Sequence, residues 1–294
     1  MYTPPLSEGA LYIVATPLGN SGDITKRAIE ILNKADIVAA EDTRTTQNLF
    51  KILGIKNRTV SNHKFNEKTK VDYLVLELEK GKKIALVSDA GTPCISDPGN
   101  LVVRAALERK IPVIGIPGAS AVITALSISG FSLDSFAFYG FLPRKTNEII
   151  KTLNTAGKNS IPVAIFFESP KRIKKSLEIF ASQMPDADLC LCNDLTKMHE
   201  RIYRGKAGEI LEELIANPNS EKGEYTLVAN LGTVPETAVD NCLSCEAMLV
   251  DYVVKNNITI KEAVASLADE HKNSISKKQF YAASLNLRKL FFPV

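Results

Sequence analysis

The chain has 294 residues, of which 45% are hydrophobic and 23% are charged, and it carries a net charge of +3. This is an ordinary globular composition, and the length predicts two domains. The small positive charge permits an anionic partner without requiring one. The first twenty residues lack the basic segment of a secretion signal, and no apolar run approaches the roughly 20 residues of a membrane span. We therefore expect a cytoplasmic protein.

Five cysteines are scattered along the chain, at Cys94, Cys190, Cys192, Cys242 and Cys245. Cys242 and Cys245 form one C-x-x-C pair without the second pair of a zinc ribbon, so we predict no metal site. Cys190 and Cys192 are two residues apart, which predicts that they share one face of a buried strand. Free thiols agree with a reducing compartment.

The first half of the chain alternates short apolar runs with helical patterns, which is typical of a parallel α/β sheet. Strands are predicted at Leu11–Ala15, Ile37–Ala40, Ile84–Val87 and Ile111–Ile116. Helices are predicted at 24–35, 71–81, 98–109 and 119–130. Asp23 or Thr25 is expected to cap the first of these helices and Asp97 the third, because short polar side chains accept hydrogen bonds from free N–H groups.

Two loops follow strands at the carboxyl edge of this sheet, where open α/β sheets bind ligands. They are SDAGTP at 88–93 and PGAS at 117–120. Asp89 supplies an acceptor and Ser120 a hydroxyl, while Gly91, Gly99 and Gly118 permit close approach of the backbone. We predict a ligand site here, with ordinary turns between strand and helix as the alternative.

Two other polar segments lie in this half of the chain. EDTRTT at 41–46 comes directly after a strand, and it is either a rim that positions a polar substrate or a capped helix start on the surface. SNHKFNEK at 61–68 contains His63, which is either a site residue or a solvated loop histidine. The sequence leaves both alternatives open.

The second half of the chain, up to about residue 231, predicts a mixed sheet with helices. A strand-like segment is predicted at 131–141, which contains FAFYGF, and further strands at 162–167, 188–193, 201–203 and 223–231. Helices are predicted at 146–156, 171–180 and 207–216. Phe167, at the end of an apolar strand, either stacks on a base or fills the core.

The last fifty residues carry three helical patterns, at Cys245–Val254, Ile260–Glu270 and Ser276–Leu287. From His271 onward the chain has five basic residues and no Asp or Glu, at Lys272, Lys277, Lys278, Arg288 and Lys289. Three helices with a basic last one are typical of a helix-turn-helix module that faces phosphates. A helical appendage with a solvated basic face is the alternative.

The common nucleotide and hydrolase motifs are missing. The sequence has no G-x-x-x-x-G-K-[ST] and no G-x-G-x-x-G after a strand, nor does it contain G-x-S-x-G or H-E-x-x-H. The glycine- and proline-rich strand ends must therefore serve another ligand.

Seven segments between Leu11 and Leu231 occur in the order found in one known family: TPLGN with GDIT, AEDTRTT, SDAGTPCISDPG, IPGAS, FFESPKR, LTKMHE and KGE. On these motifs the chain resembles the ribosomal RNA small-subunit methyltransferase I family, cytidine 2′-O-methyltransferases of the tetrapyrrole methylase superfamily. The resemblance implies two α/β domains of the class III methyltransferase type with a cleft between them, at 1–130 and 131–240. It also implies a helix-turn-helix-like, RNA-contacting appendage at 241–294.

The resemblance further implies S-adenosylmethionine as methyl donor, ribosomal RNA or the small ribosomal subunit as partner, and a homodimer. The cofactor residues that it implies are Pro17, Leu18, Asp89, Gly91, Thr92, Pro93, Ser120, Ala121, Phe167, Leu195, Thr226 and Ala229. Two positions depart from the family: Phe65 stands where many relatives have a second histidine, and FFES stands where FYES is common. The first departure bears on the substrate side of the site.

Methylation of a ribose hydroxyl benefits from a base within hydrogen-bond reach, since that hydroxyl is a weak acid. The candidates for this base are His63, Glu67, Glu41 and Asp42. Arg44 or Lys197 is expected to orient a phosphate or ribose, so Arg44 joins His63 and Glu67 in the predicted catalytic set. RNA contacts are predicted at Arg44, Lys171, Arg172, Lys197, Lys277, Lys278 and Arg288.

Two other functions share this pattern. One is methylation of a small tetrapyrrole, which has the same fold and cofactor. The other is an RNA-binding assembly factor that keeps the fold without the chemistry. The basic helical appendage and EDTRTT favour RNA methylation.

Overall fold

The structure is a computed structural model that describes residues 8–158, 161–232, 244–271 and 275–291. The chain forms two compact units, Met1–Val234 and Pro235–Val294. Three predictions made above, on Cys242, on Lys272 and on the domain boundary at 240, lie outside the described residues.

The described residues in the first half of unit Met1–Val234 form five strands, five α-helices and a short 3-10 helix at Ser21–Asp23. The strands are β1 (Leu11–Val14), β2 (Ile37–Ala40), β3 (Thr59–Ser61), β4 (Ile84–Val87) and β5 (Val113–Ile116). The helices are α1 (Lys26–Lys34), α2 (Thr43–Leu53), α3 (Glu67–Glu79), α4 (Asn100–Glu108) and α5 (Ala121–Ser129). The strands form one parallel sheet in the order β3-β2-β4-β1-β5. The predicted parallel sheet is confirmed, and β3, an edge strand that the apolar pattern does not reveal, is added to it.

Side chains from the loops set where these helices begin. Thr25 caps α1, Asp42 caps α2 and Ser120 caps α5, each by accepting a hydrogen bond from a backbone N–H of the first turn. The cap predicted at Asp97 is wrong. Helix α4 begins after Gly99, and Glu67 of α3 caps it from outside by accepting hydrogen bonds from the backbone N–H groups of Gly99 (2.8 Å) and Leu101 (3.1 Å).

The second half of the same unit holds the mixed sheet that the sequence predicts. Its strands are β6 (Phe136–Phe141), β7 (Val163–Glu168), β8 (Asp188–Asn193), β9 (Arg201–Gly205) and β10 (Tyr225–Asn230). Its helices are α6 (Thr146–Lys158), α7 (Ile173–Gln183) and α8 (Ala207–Ala216). The strand order is β6-β7-β10-β8-β9, in which the β6–β7 pair is parallel and the other three pairs are antiparallel.

Both faces of this second sheet are covered, because side chains alternate between them along each strand. On one face, Phe166 and Leu227 pack against α6, α7 and α8. On the other face, Ile165 and the two buried cysteines Cys190 and Cys192 pack against α5. The cysteines share one face, as predicted, with 4.0 Å between their sulfur atoms. Helix α5 therefore follows the last strand of the first sheet and covers the second sheet.

Unit Pro235–Val294 is described as three helices, α9 (Cys245–Asn256), α10 (Ile260–Glu270) and α11 (Lys277–Phe291), where three helical patterns are predicted. Leu249, Leu267, Phe280 and Leu287 form its core. Neither here nor elsewhere in the described chain is a helix both long and apolar enough to cross a lipid bilayer.

Candidate functional site

Three loops at the carboxyl edge of the first sheet are bonded to one another. The backbone N–H of Thr16, after β1, donates to the carbonyl of Gly91, after β4, at 2.9 Å, and the N–H of Gly91 donates back at 3.0 Å. The Thr16 hydroxyl also donates to the carbonyl of Ser88 at 3.1 Å. The Thr92 hydroxyl donates to the carbonyl of Ala119, after β5, at 3.0 Å. These bonds fix the loops after β1, β4 and β5 as one surface.

Two glycines allow this loop arrangement. Gly91 has a φ of +78°, and a Cβ atom there would lie 3.2 Å from Cδ2 of Leu18. Gly99 has a φ of +133°, and a Cβ atom would lie 2.6 Å from the sulfur of Cys94. Other residues rarely adopt these backbone angles, so both positions require glycine.

A cleft of about 390 Å³ lies between the loop surface and the second sheet. This volume is within the range of small-molecule sites, about 300–1,000 Å³. Its lining residues from the first half are Leu18, Glu41, Asp89, Ala90, Ser96, Asp97 and Ala121. Those from the second half are Phe141, Phe167, Glu168, Ser169, Pro170, Glu224, Tyr225 and Thr226. A smaller pocket continues from it, bounded in addition by Gly91, Thr92 and Ser120.

Most of the residues predicted to bind the cofactor meet in this cleft. Eight line it or its smaller continuation: Leu18, Asp89, Gly91, Thr92, Ser120, Ala121, Phe167 and Thr226. Leu195 packs in the apolar cluster that contains Leu18, Ala121 and Phe167, and Pro17 and Pro93 are buried in the adjoining loops. Their contacts with a ligand remain a prediction.

Ala229 requires a correction. Thr226 and Val228 lie on the face of β10 that is directed to α5 and the cleft, whereas Ala229 is fully buried in the core on the opposite face. Ala229 is not among the residues that line the cleft, so we do not propose it as a cofactor contact.

The cleft is acidic. Partial burial raises the pKa of Glu41, and the carboxylates of Asp97 and Asp89 raise it further. Partial burial also raises the pKa of Asp97, with the charges of Asp89 and Glu224 adding to it. Asp89 has a raised pKa for the same leading reason, although the backbone N–H of Asp42 donates to its carboxylate at 3.0 Å. The concentration of negative charge favours a cationic ligand.

Only one of the four base candidates lines this cleft. Glu41 does so, and its Oε2 lies 3.4 Å from the backbone nitrogen of Asp89, which donates to it. Asp42 is paired with the Arg44 guanidinium at 2.6 Å, and this hydrogen bonding lowers its pKa to about 2. Glu67 is buried and caps α4, so we do not propose it as a base.

His63 lies outside the residues that line the cleft. Its Nδ1 atom accepts from the backbone N–H groups of Phe65 and Asn66, both at 3.2 Å. These two hydrogen bonds leave Nε2 as the protonated nitrogen of the neutral ring. Because Nδ1 is already occupied, His63 shapes its own loop, and we do not propose it as the base.

Two of the predicted RNA contacts are occupied by the protein itself. Arg172 pairs with the fully buried side chain of Glu168 at 2.5 Å and donates to the carbonyls of Leu142 and Pro143. Lys197 lies 2.9 Å from a carboxylate oxygen of Glu224 and 3.1 Å from one of Asp194. We therefore assign both side chains to the structure of the second half and do not propose them as phosphate ligands.

The remaining predicted RNA contacts are exposed. Lys171 is exposed beside Arg172, and the Arg44 side chain is 87% exposed even though it is paired with Asp42. Lys277, Lys278 and Arg288 are exposed on α11 in the other compact unit. These five side chains are open to a polyanion.

Several lining residues were missed by sequence reasoning. The sequence predicts Asp97 as a helix cap, and it predicts no role for Phe141, Ser169 and Glu224. One signal was present for Asp97, because it is a second acidic residue in the same strand-end loop as Asp89. Phe141 and Glu224 come from segments far apart in sequence, so no local pattern joins them to the site.

Comparison with known proteins agrees with this geometry. Residues 10–211 match the family model described as Tetrapyrrole (Corrin/Porphyrin) Methylases. The chain is 38% identical over 278 residues to a protein of Escherichia coli O157:H7 named ribosomal RNA small subunit methyltransferase I, covering 92% of this chain and 94% of that protein. The chain belongs to this methyltransferase family.

A second family member, of the same name and from Micromonospora olivasterospora, is 40% identical over 268 residues and covers 90% of this chain and 84% of its own. Among solved structures, a cobalt-precorrin-4 methyltransferase aligns with a TM-score of 0.55 at 18% identity, covering 79% of this chain and all of that one. That likeness shows the tetrapyrrole methylase fold, as expected from the sequence.

S-adenosylmethionine is the cofactor of this family. The residues of the cleft fit it. The cofactor carries a sulfonium and an ammonium cation, which suit the carboxylates of Asp89 and Asp97. Phe167 and Leu18 offer apolar surface for its adenosine, and the backbone at Gly91 permits close approach.

The acidic cleft predicts opposite effects on stability and on cofactor binding. Raised pKa values mean that the folded protein holds protons more tightly than the unfolded chain, so stability is lost as pH rises through those values. Asp97→Asn should therefore raise the melting temperature of the cofactor-free protein near pH 7 by a few degrees, with little gain near pH 3.5. It should also weaken S-adenosylmethionine binding about tenfold, because one charge-assisted contact is lost.

Thermal unfolding and calorimetric titration across about pH 4–7 measure both effects. In the unmodified protein, the affinity for S-adenosylmethionine should rise with pH, since ionised carboxylates attract the cation. Glu178→Gln, which changes an exposed carboxylate on α7 outside the cleft, is the control and should alter neither quantity. Equal cofactor affinity in the Asp97→Asn variant would contradict the assignment.

Arg172 and the neighbouring Lys171 provide a matched pair that tests whether Arg172 stabilises the fold. Arg172→Ala should destabilise the fold by about 3 kcal/mol, because it leaves the buried Glu168 carboxylate without its ion pair. Lys171→Ala should change stability by less than about 0.5 kcal/mol, since that side chain is exposed. Urea unfolding monitored by circular dichroism measures the difference. A stable Arg172→Ala variant would show that its ion pair with Glu168 is dispensable.

Proposed function

We propose that this chain transfers a methyl group from S-adenosylmethionine to the ribose 2′-hydroxyl of a cytidine in small-subunit (16S) ribosomal RNA. The observation that carries the proposal is the match, over about nine-tenths of the chain, to relatives named ribosomal RNA small subunit methyltransferase I. The acidic cleft at the carboxyl edge of the first sheet supports it, because it suits a cationic methyl donor.

The cofactor supplies a methyl group on a positively charged sulfur atom, which is a good electrophile. The protein contributes positioning above all, because the methyl group and the attacking oxygen must be held in line. The mutually bonded loops of Thr16, Gly91 and Thr92 provide a fixed floor for that purpose. Apolar side chains such as Leu18 and Phe167 exclude water from the same space.

Glu41 is the residue that we propose to accept the proton of the ribose hydroxyl. It lines the larger cleft but not the smaller continuation, which is bounded by the predicted cofactor residues Gly91, Thr92 and Ser120. Asp97 borders both spaces and is therefore assigned to the cofactor side. The raised pKa of Glu41 strengthens it as a base relative to an ordinary carboxylate.

We propose that RNA contacts exposed basic side chains of each compact unit: Arg44 and Lys171 in the first, and Lys277, Lys278 and Arg288 in the second. Among the described residues, none of the last three takes part in a salt bridge. Binding that depends on such side chains weakens steeply as salt increases, because counterions are released from the phosphates. A cytidine within folded RNA must also be splayed out to reach the cleft.

A cytoplasmic location agrees with this substrate, and a homodimer is implied by the family resemblance. We include both in the proposal. Sedimentation of the purified protein at several concentrations gives the oligomeric state directly.

The function is tested by incubation with radiolabelled S-adenosylmethionine and small ribosomal subunits that lack the modification. Label should enter 16S RNA at one cytidine. That position should resist alkaline hydrolysis, because a methylated 2′-oxygen no longer attacks the neighbouring phosphodiester. Label on a base would contradict the proposed site of transfer on the ribose.

Parallel incubations distinguish the two alternative functions. Transfer of label to a tetrapyrrole precursor, with none to RNA, would support a small-molecule methyltransferase. Binding to small subunits without any transfer, together with no measurable binding of S-adenosylmethionine, would support an RNA-binding assembly factor.

Glu41→Gln tests the proposed base. At saturating cofactor and RNA, its single-turnover rate should fall about 10²- to 10⁴-fold, since the amide keeps the shape of the side chain but accepts no proton. The matched control is Asp97→Asn, which removes one negative charge from the same cleft and should keep most of the rate once cofactor is saturating. Equal rates in the two variants would remove Glu41 from the role of base.

A further inference from the structure

The loop between β3 and α3 presents an aromatic ring to solvent. Phe65 is 93% exposed, although burial of such a ring stabilises a protein by about 1.5–3 kcal/mol. Isolated exposed apolar residues are common and need no explanation by themselves. Three other observations on this loop distinguish Phe65 from such residues.

The loop lies next to the cleft. Strand β3 pairs with β2 so that Ser61 is opposite Ala40, and the backbone N–H of Asn62 donates to the carbonyl of Ala40 at 2.7 Å. The residue after Ala40 is Glu41, which lines the cleft. The His63–Phe65 turn therefore follows the strand that neighbours the proposed base, at the same edge of the sheet.

The turn is held in place by several hydrogen bonds. Both Phe65 and Asn66 donate backbone N–H groups to Nδ1 of His63, and the Asn66 carboxamide accepts from the backbone N–H of His63 at 2.8 Å. The same carboxamide donates to Ser61, at 3.2 Å to its hydroxyl. The His63 and Phe65 rings meet edge to face, with 6.1 Å between their centroids. These bonds fix the backbone that carries the Phe65 ring, so the loop loses little entropy when another molecule packs on it.

The neighbours of Phe65 are basic. Lys64 precedes it and Lys68 follows three residues later, and both are exposed, whereas the acidic residue of this segment, Glu67, is buried and directed to α4. An exposed aromatic ring with exposed lysines at nearby positions of the chain is complementary to a nucleobase with its adjoining phosphates. The same group of side chains does not suit an apolar protein surface without carboxylates, because both ammonium groups would lose water without gaining a partner.

We propose that Phe65 is a stacking platform for a nucleobase of the RNA substrate, with Lys64 and Lys68 contacting the flanking phosphates. The inference rests on the proposed function, which requires a splayed-out nucleotide at this edge of the sheet. Phe65 stacks on a base of the RNA outside the cleft, while the ribose of the target nucleotide lies next to Glu41. It is a positioning residue and takes no part in proton or methyl transfer.

The test uses full-length protein and undermethylated small subunits. Phe65→Ala should weaken RNA binding about 5- to 150-fold, the range found when one stacked base loses its aromatic partner. Phe65→Trp should restore binding, because it offers a larger ring at the same place. Ile215→Ala, an exposed apolar residue on α8 outside the cleft, is the matched control and should change nothing.

Salt dependence separates the ring from the lysines. The slope of log affinity against log salt should be unchanged in Phe65→Ala, because no phosphate contact is lost. In the double variant Lys64→Ala/Lys68→Ala this negative slope should become shallower by about 1.4–1.8, because two phosphate contacts are lost. The dissociation constant of S-adenosylmethionine should be the same in all of these variants.

RNA affinity and methylation within twofold of the unmodified protein in Phe65→Ala would overturn the inference. A changed sedimentation coefficient with unchanged RNA affinity would also overturn it, and would assign Phe65 to contact with a second copy of the chain. If the unmodified protein does not methylate RNA, the proposed function itself fails. If it does and Phe65→Ala is equally active, only the role of Phe65 is lost.

Discussion

The site depends on one backbone interaction, the pair of hydrogen bonds between Thr16 and Gly91. It joins the loops after β1 and β4, which lie side by side in the sheet but are separated by more than seventy residues of chain. Its geometry needs the positive φ of Gly91, so glycine at that position fixes where the β4 loop runs. Leu18 and Asp89 belong to these two loops, and both line the cleft.

Electrostatics makes this fixed floor useful. Glu41, Asp89 and Asp97 come from two strand-end loops. Partial burial is the main reason that the pKa of each is raised, and the neighbouring carboxylates add to it. In the absence of a cation this arrangement costs stability at neutral pH, and a sulfonium ligand offsets the cost. Stability and binding therefore oppose each other here, as is common at functional sites.

The second sheet contributes the other wall, and helix α5 determines its position. This helix begins at Ser120 in the loop surface and packs along β8 and β10 through Val122 and Leu126. Helix α5 therefore connects the loop surface on one side of the cleft to the second sheet on the other side. Phe167 and Thr226 reach the cleft because they lie on the α5 side of their strands, whereas Ala229 is directed away from it.

The sequence alone determined the elements and the loops of the site. Alternating apolar runs located four of the five parallel strands, and the glycine, proline and aspartate content of SDAGTP located the ligand edge, because these signals act over a few residues. Tertiary structure alone decided the roles of Glu67, Asp97 and Arg172. Glu67 caps a helix that begins more than thirty residues later in the chain, Asp97 lines the cleft and does not cap that helix, and Arg172 pairs with a buried carboxylate. The partner of a charged side chain is set by the packing of distant segments, and no local pattern in the chain records it.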